Sequence, residues 1–381
     1  MKYNMTYFLY PFIIEKDNWN NYILNLINNP KFILDNWRKD KDIDTYNFFT
    51  TEVRKYIFND FENIDNDILS AESVKFRYEL QEDAQGKVEE GSGIFFKIQT
   101  IHLVCFKCGI CFLIFKANVE NQSSISDLLN FNYKFRDVNS DYNVLKEYEN
   151  IKIQADAFEN IEDLKSFIQK VTMDATKVDT NRFYTYSYAC IEEDHWESDN
   201  FEGEIEKFIN FLPSSYNTNS TINQTKVIDN TKYSKFGINK YGVTLICSDG
   251  DTKNYLELVS KFENEYLNLY IISLYEKLYS KMIIKEYNSK KVNAIDEYLD
   301  VKNNLLIDNI TTTEFGEKLY KEFQKAQNIE EITKQINKLI EIEHKKLDIE
   351  KTKKENKMIM TILAISLLIN IINFVALIFR S

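Results

Sequence analysis

Proline and glycine are scarce, three and nine in 381 residues. That scarcity excludes collagen-like, Gly/Ser-linker and low-complexity architectures. Histidine occurs three times (His102, His195, His344), so general bases are few. No G-x-S-x-G, H-E-x-x-H or Walker sequence is present, and Gly91-Ser92-Gly93 is too short to signal a phosphate loop. Nucleophilic and metallohydrolase chemistry has no visible support, and the expectation is that the protein is not an enzyme. Positive charge is also in deficit: 47 Lys+Arg face 59 Asp+Glu, a net charge of −12. A nucleic-acid binder needs a basic stripe to displace counterions, so direct nucleic-acid binding is not expected.

Apolar residues make up 44% and aromatic residues 14% of the chain, ample for a packed core, but they are unevenly spread. From Met358 to Phe379 the chain reads MIMTILAISLLINIINFVALIF, 22 residues without a charge. As a helix this stretch spans about 33 Å, the thickness of a bilayer's hydrocarbon core. Upstream, residues 345–357 carry six Lys (345, 346, 351, 353, 354, 357) against Asp348, Glu350 and Glu355; only Arg380 and Ser381 follow. The positive-inside rule then keeps the large N-terminal part in the cytoplasm. The expectation is a single-pass tail anchor in the cell (inner) membrane, with the bilayer as partner. Residues 263–284 are apolar in places but contain Glu263, Glu265, Glu276, Lys277 and Lys281, and Ile101–Phe115 is short and interrupted by His102 and Lys107. Neither reads as a second span.

Within the span, Ser366, Asn370 and Asn373 are spaced i, i+4, i+7. At 100° per residue they share an arc of about 60°. Lipid offers such groups no partner, so the stripe is expected either to glue helices together or to line a narrow pore. Thr361 falls on the other side, where its hydroxyl can bond back to its own helix.

Four regions are expected: an α+β cytoplasmic sensor domain (1–253), a long helical stalk (254–357), the transmembrane helix (358–379) and a short external tail (380–381). Strand-like runs cover Met5–Ile14, Ser73–Gln81, Gly93–Thr100, Ile101–Ala117, Phe183–Cys190 and Tyr241–Cys247, rich in β-branched and aromatic residues. Helical patterns fall near Trp19–Asn28, Ile125–Asn130, Ile161–Val171 and Gly203–Leu212, while Pro213–Asp229 reads as a polar loop. Asn254–Lys290 has an apolar face of 3.6 periodicity, Thr311–Thr313 offers hydroxyl N-caps, and Asn328 marks a break before a helix running toward the membrane.

Three constellations bear on chemistry. Cys105, Cys108 and Cys111 have the spacing of an iron–sulfur ligand run, but no fourth Cys follows nearby and the flanks are β-forming. Buried structural thiols in a strand–Gly–strand hairpin are the expectation, and five reduced Cys suit the cytoplasm. Glu192–Glu204 holds seven carboxylates in 13 residues, which makes Glu192, Glu193 and Asp194 candidates for Mg²⁺ or Ca²⁺, although no EF-hand spacing occurs. Arginine is rare beside 41 Lys: Arg38, Arg54, Arg77, Arg136 and Arg182 precede the span. Arg77, Arg136 and Arg182 lie near candidate strands and could hold an anionic ligand, the alternative being interior salt bridges.

An α/β domain, a long helix and a C-terminal membrane helix resemble the CorA family of cation channels, and more closely its divergent bacterial CorA-like members. The stretches that carry the resemblance are KCGICFLIF (Lys107–Phe115), FNYKFR (Phe131–Arg136), LYEKLY (Leu274–Tyr279) and TTTEFGEKLYKEFQKAQNIEEI (Thr311–Ile332). The chain departs from the family in lacking the Gly-Met-Asn filter and the second membrane helix. The resemblance implies a funnel-shaped homo-oligomer, a pentamer, with the membrane helices on its axis. Some CorA-like proteins are encoded beside type III CRISPR systems and answer a nucleotide second messenger in antiviral defence. The resemblance thus implies a channel or membrane-perturbing effector gated by a ligand on the cytoplasmic domain. No cofactor is evident in the residues; Mg²⁺ or a small nucleotide are the ligands the resemblance admits. The alternatives are a non-conducting tail-anchored scaffold and a divergent divalent-cation transporter.

Overall fold

The computed structural model describes residues 1–35, 43–57, 68–81, 84–88, 93–119, 124–137, 151–155, 161–173, 175, 182–198, 201–216, 225–289, 294–304 and 309–378. Two compact units emerge, Met1–Tyr279 with Leu299–Ile329, and Ser280–Tyr298 with Glu330–Ser381.

The first unit is built on one sheet. Among the described residues its twelve strands are β1 (Tyr3–Ile13), β2 (Phe32–Leu34), β3 (Ser73–Tyr78), β4 (Gln85–Val88), β5 (Ile94–Phe106), β6 (Ile110–Val119), β7 (Ile151–Gln154), β8 (Glu162–Asp163), β9 (Tyr184–Ile191), β10 (Lys226–Thr231), β11 (Ser234–Asn239) and β12 (Gly242–Ser248). Their order is β10-β11-β12-β9-β1-β6-β5-β4-β7-β8, with β3 also on β5 and β2 beyond it. The pairings are antiparallel apart from β9 with β12. A parallel pair needs a long crossover, here supplied by α6 (Glu193–Trp196), α7 (Phe201–Ile209) and the β10–β11 hairpin.

Helices cover both faces, so the central strand β1 is buried along its length rather than on alternate residues. The remaining helices are α1 (Trp19–Asn28), α2 (Ile43–Phe48), α3 (Thr51–Ile57), α4 (Ile125–Phe135), α5 (Leu164–Val171), α8 (Val259–Lys261), α9 (Leu267–Asn288), α10 (Ala294–Asn304), α11 (Glu314–Ala326) and α12 (Ile329–Ile378). On one face of β1, Phe8 meets Phe131 and Phe135 of α4 at ring distances of 5.4 and 4.2 Å, and Phe12 meets Tyr22 of α1 at 6.4 Å. On the other face Tyr7 packs on Tyr186 of β9, which stacks against Phe262 at 4.0 Å and Tyr270 at 5.6 Å. A buried polar trio ties α4 to the sheet: Thr6 donates to Asn132 Oδ1 (2.8 Å) and Asn132 donates to Ser187 Oγ (2.9 Å).

Several expected elements change extent. The strands expected over Gly93–Thr100 and Ile101–Ala117 are instead β5 and β6, because β5 runs through Thr100 with a register shift between Ile98 and Thr100. Lys226–Asp229, expected as loop, pairs with β11, a long-range ladder that polar composition does not reveal; residues 217–224 of that loop lie outside the described residues. The single helix expected over Asn254–Lys290 begins with two π-helical turns, Asn254–Leu258 and Phe262–Tyr266, joined by α8, and α9 ends at Asn288. The first carbonyl of each π turn accepts a tyrosine hydroxyl from β9, Tyr188 on Asn254 and Tyr186 on Phe262. Sheet contacts thus favour a wider turn than periodicity suggests. Asn328 does interrupt the helices, with φ of 58° between α11 and α12, and Thr313 caps α11 by accepting from Gly316 N (3.2 Å).

The second unit contains most of α12, a 50-residue helix about 75 Å long. Tyr287 donates to Glu343 Oε2 (3.1 Å), and Lys346 donates to the Tyr287 hydroxyl (2.9 Å) and to Glu343 Oε2 (3.2 Å). A mixed α+β unit followed by long helices, the last of them apolar toward its C-terminal end, is the expected fold class.

The β5–β6 hairpin turns at Gly109, whose φ of 96° suits glycine. A Cβ there would also lie 2.2 Å from the Ile14 carbonyl oxygen. Gly109→Ala is therefore expected to destabilise the first unit by roughly 2 kcal/mol or more, read by chemical denaturation in detergent.

Candidate functional site: an apolar helix with a polar stripe

The most apolar stretch of α12 has a mean hydropathy of 1.6 over 18 residues, none of it buried. Residues 358–373 are exposed on every side; Leu363 is 58% and Leu367 63% exposed. A monomer in water rarely shows a contiguous apolar surface of this size. Among the described residues this is the one helix long and apolar enough to cross a bilayer. It is consistent with a single span.

Thr361 donates to the carbonyl of Lys357 (2.8 Å), so its hydroxyl is satisfied within the helix as expected. Ser366, Asn370 and Asn373 are exposed on the uninterrupted helix, and their side chains form no hydrogen bond with any described residue. The stripe is therefore open to an outside partner. The basic collar, residues 345–357, lies on the same helix and is exposed. Phe379, Arg380 and Ser381 lie outside the described residues, as do Arg38, Gly91 and Ser92.

The three arginines do not form one cluster. Arg77 is exposed on β3, in register with Ile33 and His102. Arg136 is 8% exposed, donates through Nη1 to the Phe211 carbonyl (3.2 Å) and lies 4.7 Å over the Tyr133 ring. Burial pushes its guanidinium pKa down, Asp137 pulls it back up, and Arg182 adds repulsion. Arg182 pairs with Asp137 at 2.7 Å. The chain thus brings Arg136 and Arg182 to one carboxylate and leaves Arg77 on another strand.

Glu192, Glu193 and Asp194 open α6. Glu192 faces the N-terminal amine at 3.9 Å, and Glu193 accepts from the Tyr233 hydroxyl (3.0 Å). Asp194 is exposed, and Asp199 lies outside the described residues. Among the described residues no group of three His, Cys, Asp or Glu is placed to hold a metal ion. Cys105 and Cys111 are buried opposite one another across the β5–β6 ladder, with Cys108 in the turn between them, and all five cysteines are free thiols.

Two buried carboxylates, Glu265 and Glu276, and the half-buried Glu263 escape a reading by residue order alone. Glu263, Glu265 and Glu276 were charges that argued against a second span; in the fold they sit against the sheet unit. Glu263 is paired with Lys116 and accepts from the Tyr7 hydroxyl (3.0 Å). Glu276, 8% exposed, accepts from Tyr320 (2.8 Å) and Gln324 (2.9 Å) of α11. The neighbouring Lys277 donates to Gln327 Oε1 (2.6 Å) and the Tyr184 hydroxyl (3.2 Å). Desolvation raises the Glu276 pKa against the pull of these donors. A carboxyl in an otherwise apolar helical face was the only available signal.

No family model, no curated protein and no solved structure matches this chain.

Tyr320→Phe removes one of the donors to the buried Glu276 carboxylate and is expected to cost about 1.5–3 kcal/mol at pH 8. The folded carboxyl holds its proton to a higher pH than the unfolded one, so folding takes up a proton between the two values. The cost should therefore shrink as the pH falls and the carboxyl becomes neutral; denaturant titrations over a series of pH values would show it.

Proposed function

We propose that the protein is a homo-oligomeric membrane protein of CorA-like architecture, acting as a channel or membrane-perturbing effector under control of its cytoplasmic α+β unit. The observation that carries this reading is the one-sided stripe of Ser366, Asn370 and Asn373 on an exposed apolar helix. In hydrocarbon an unpaired amide is costly, and copies of the same helix supply the nearest complementary partners. Each interhelical bond contributes roughly 0.6–2 kcal/mol, so two Asn and one Ser per helix, repeated around a ring, bias assembly without fixing the number of copies. The same ring of amides would line a narrow polar path. The basic collar at 345–357 supports an orientation that leaves the sheet unit in the cytoplasm. The resemblance adds a ring of five and a setting in antiviral defence, with a small nucleotide or Mg²⁺ as the gating ligand.

Native mass spectrometry of the protein in detergent tests assembly, with one closed oligomer expected and a monomer arguing against the reading. Replacing both Asn370 and Asn373 by Leu is expected to weaken the oligomer and abolish ion flux across liposomes. Unchanged flux with the oligomer intact would remove the pore. A chain that keeps its cellular effect when Met358–Phe379 is exchanged for an unrelated anchor would be a tail-anchored scaffold instead.

A further inference from the structure

The first unit holds a cleft of about 410 Å³, the size of a small-molecule site, where the two π turns meet α2 and the start of α11. Its aromatic wall is Phe48, Tyr266 and Phe315; the ring of Tyr266 lies 6.0 Å from Phe48 and 5.7 Å from Phe315. Glu265 also lines the cleft. It is 8% exposed and accepts no hydrogen bond from any described residue, unlike Glu263 and Glu276 on the same stretch of helix. π turns recur at functional sites because the extra residue re-aims side chains, and both turns contribute here: Glu257 and Leu258 from the first, Glu265 and Tyr266 from the second.

The chemistry selects a ligand class. A buried carboxyl without a donor calls for a group that brings both a hydrogen and a positive charge. Ring faces favour the same charge. Asp251, half-buried, and Glu257, exposed, add two further carboxylates against the exposed ammoniums of Lys253 and Lys261, so the one buried charge of the cleft is acidic. An anion would meet three acidic groups. From this geometry we infer that the cleft binds a linear aliphatic di- or polyamine, one ammonium on Glu265 and the methylene segments along Leu258 and the aromatic wall. The inference stands apart from the membrane reading, since binding needs only the first unit's fold.

Burial raises the Glu265 carboxyl to about 7; Lys261 pulls it down and Asp44 of α2 pushes it further up, with Asp251, Lys253 and Glu257 the other charged groups of the cleft. Between the unfolded value and about 7 the folded state holds the extra proton, so the site is mostly neutral at pH 6 and mostly ionised at pH 8. Spermidine stays cationic across that range.

Isothermal titration of the full chain in detergent micelles with spermidine tests the inference. One saturable site is expected, about tenfold tighter at pH 8 than at pH 6, with roughly half a proton released per spermidine at pH 7. Glu265→Gln should weaken binding at pH 8 at least tenfold and remove the pH dependence. Phe315→Leu should weaken it several-fold at unchanged charge, and Glu202→Gln, on α7, should leave it unaltered. Where Glu265→Gln does not fold, the wild-type proton release and the Phe315→Leu affinity decide. Binding that is independent of pH, or reduced as much by Glu202→Gln as by Phe315→Leu, would be attraction to an acidic surface and would overturn the site.

Discussion

Burial of β1 on both faces is the constraint from which the first unit follows. Tyr7 and Phe8 are consecutive, point to opposite sides of the sheet, and are 6% and 0% exposed. A strand in that position needs partners at both edges and helices above and below, because any uncovered side would leave aromatic surface in water. β6 and β9 supply the edges. Phe131 and Phe135 close one face, while Phe262 and Tyr270, through Tyr186, close the other.

That second face explains the unusual helix beginning at Asn254. Tyr186 and Tyr188 are two apart on β9 and so share a face. Their hydroxyls need acceptors once buried, and they find the Phe262 and Asn254 carbonyls. The helix accommodates both by opening into π turns at those residues. The same widening sets Glu257 and Glu265 along one cleft, next to Phe315 of α11. Packing that begins with two tyrosines thus arranges an acidic and aromatic concavity. Glu276 and Lys277 lie further along the chain, where α11 satisfies the first through Tyr320 and Gln324, and the Gln327 cap satisfies the second.

The apolar end of α12 differs from the sheet unit. In the sheet unit Thr6, Asn132 and Ser187 are buried and satisfy one another. Along 358–373 only Thr361 is satisfied locally, by its own helix. The side chains of Ser366, Asn370 and Asn373 make no hydrogen bond with any described residue, and hydrocarbon would offer them none.

The long apolar helix was legible from the amino-acid order because hydrophobic length is a local quantity: 22 uncharged residues mark a stretch long enough to cross a bilayer. α1, the Asn328 break and the Thr313 cap were legible for the same reason, each being set by a few neighbouring residues. Strand β10, the π turns and the order of the sheet were not, since they depend on which distant segment offers a ladder or a hydroxyl. The carboxylates show the division most clearly. Glu263, Glu265 and Glu276 read alike in sequence, as charges that forbid a span. Only the tertiary structure separates them: Lys116 neutralises the first, two donors hold the third, and the second is left facing an open cleft. Charge type is written residue by residue, but desolvation and pairing belong to the surroundings, and those exist only after the chain has folded.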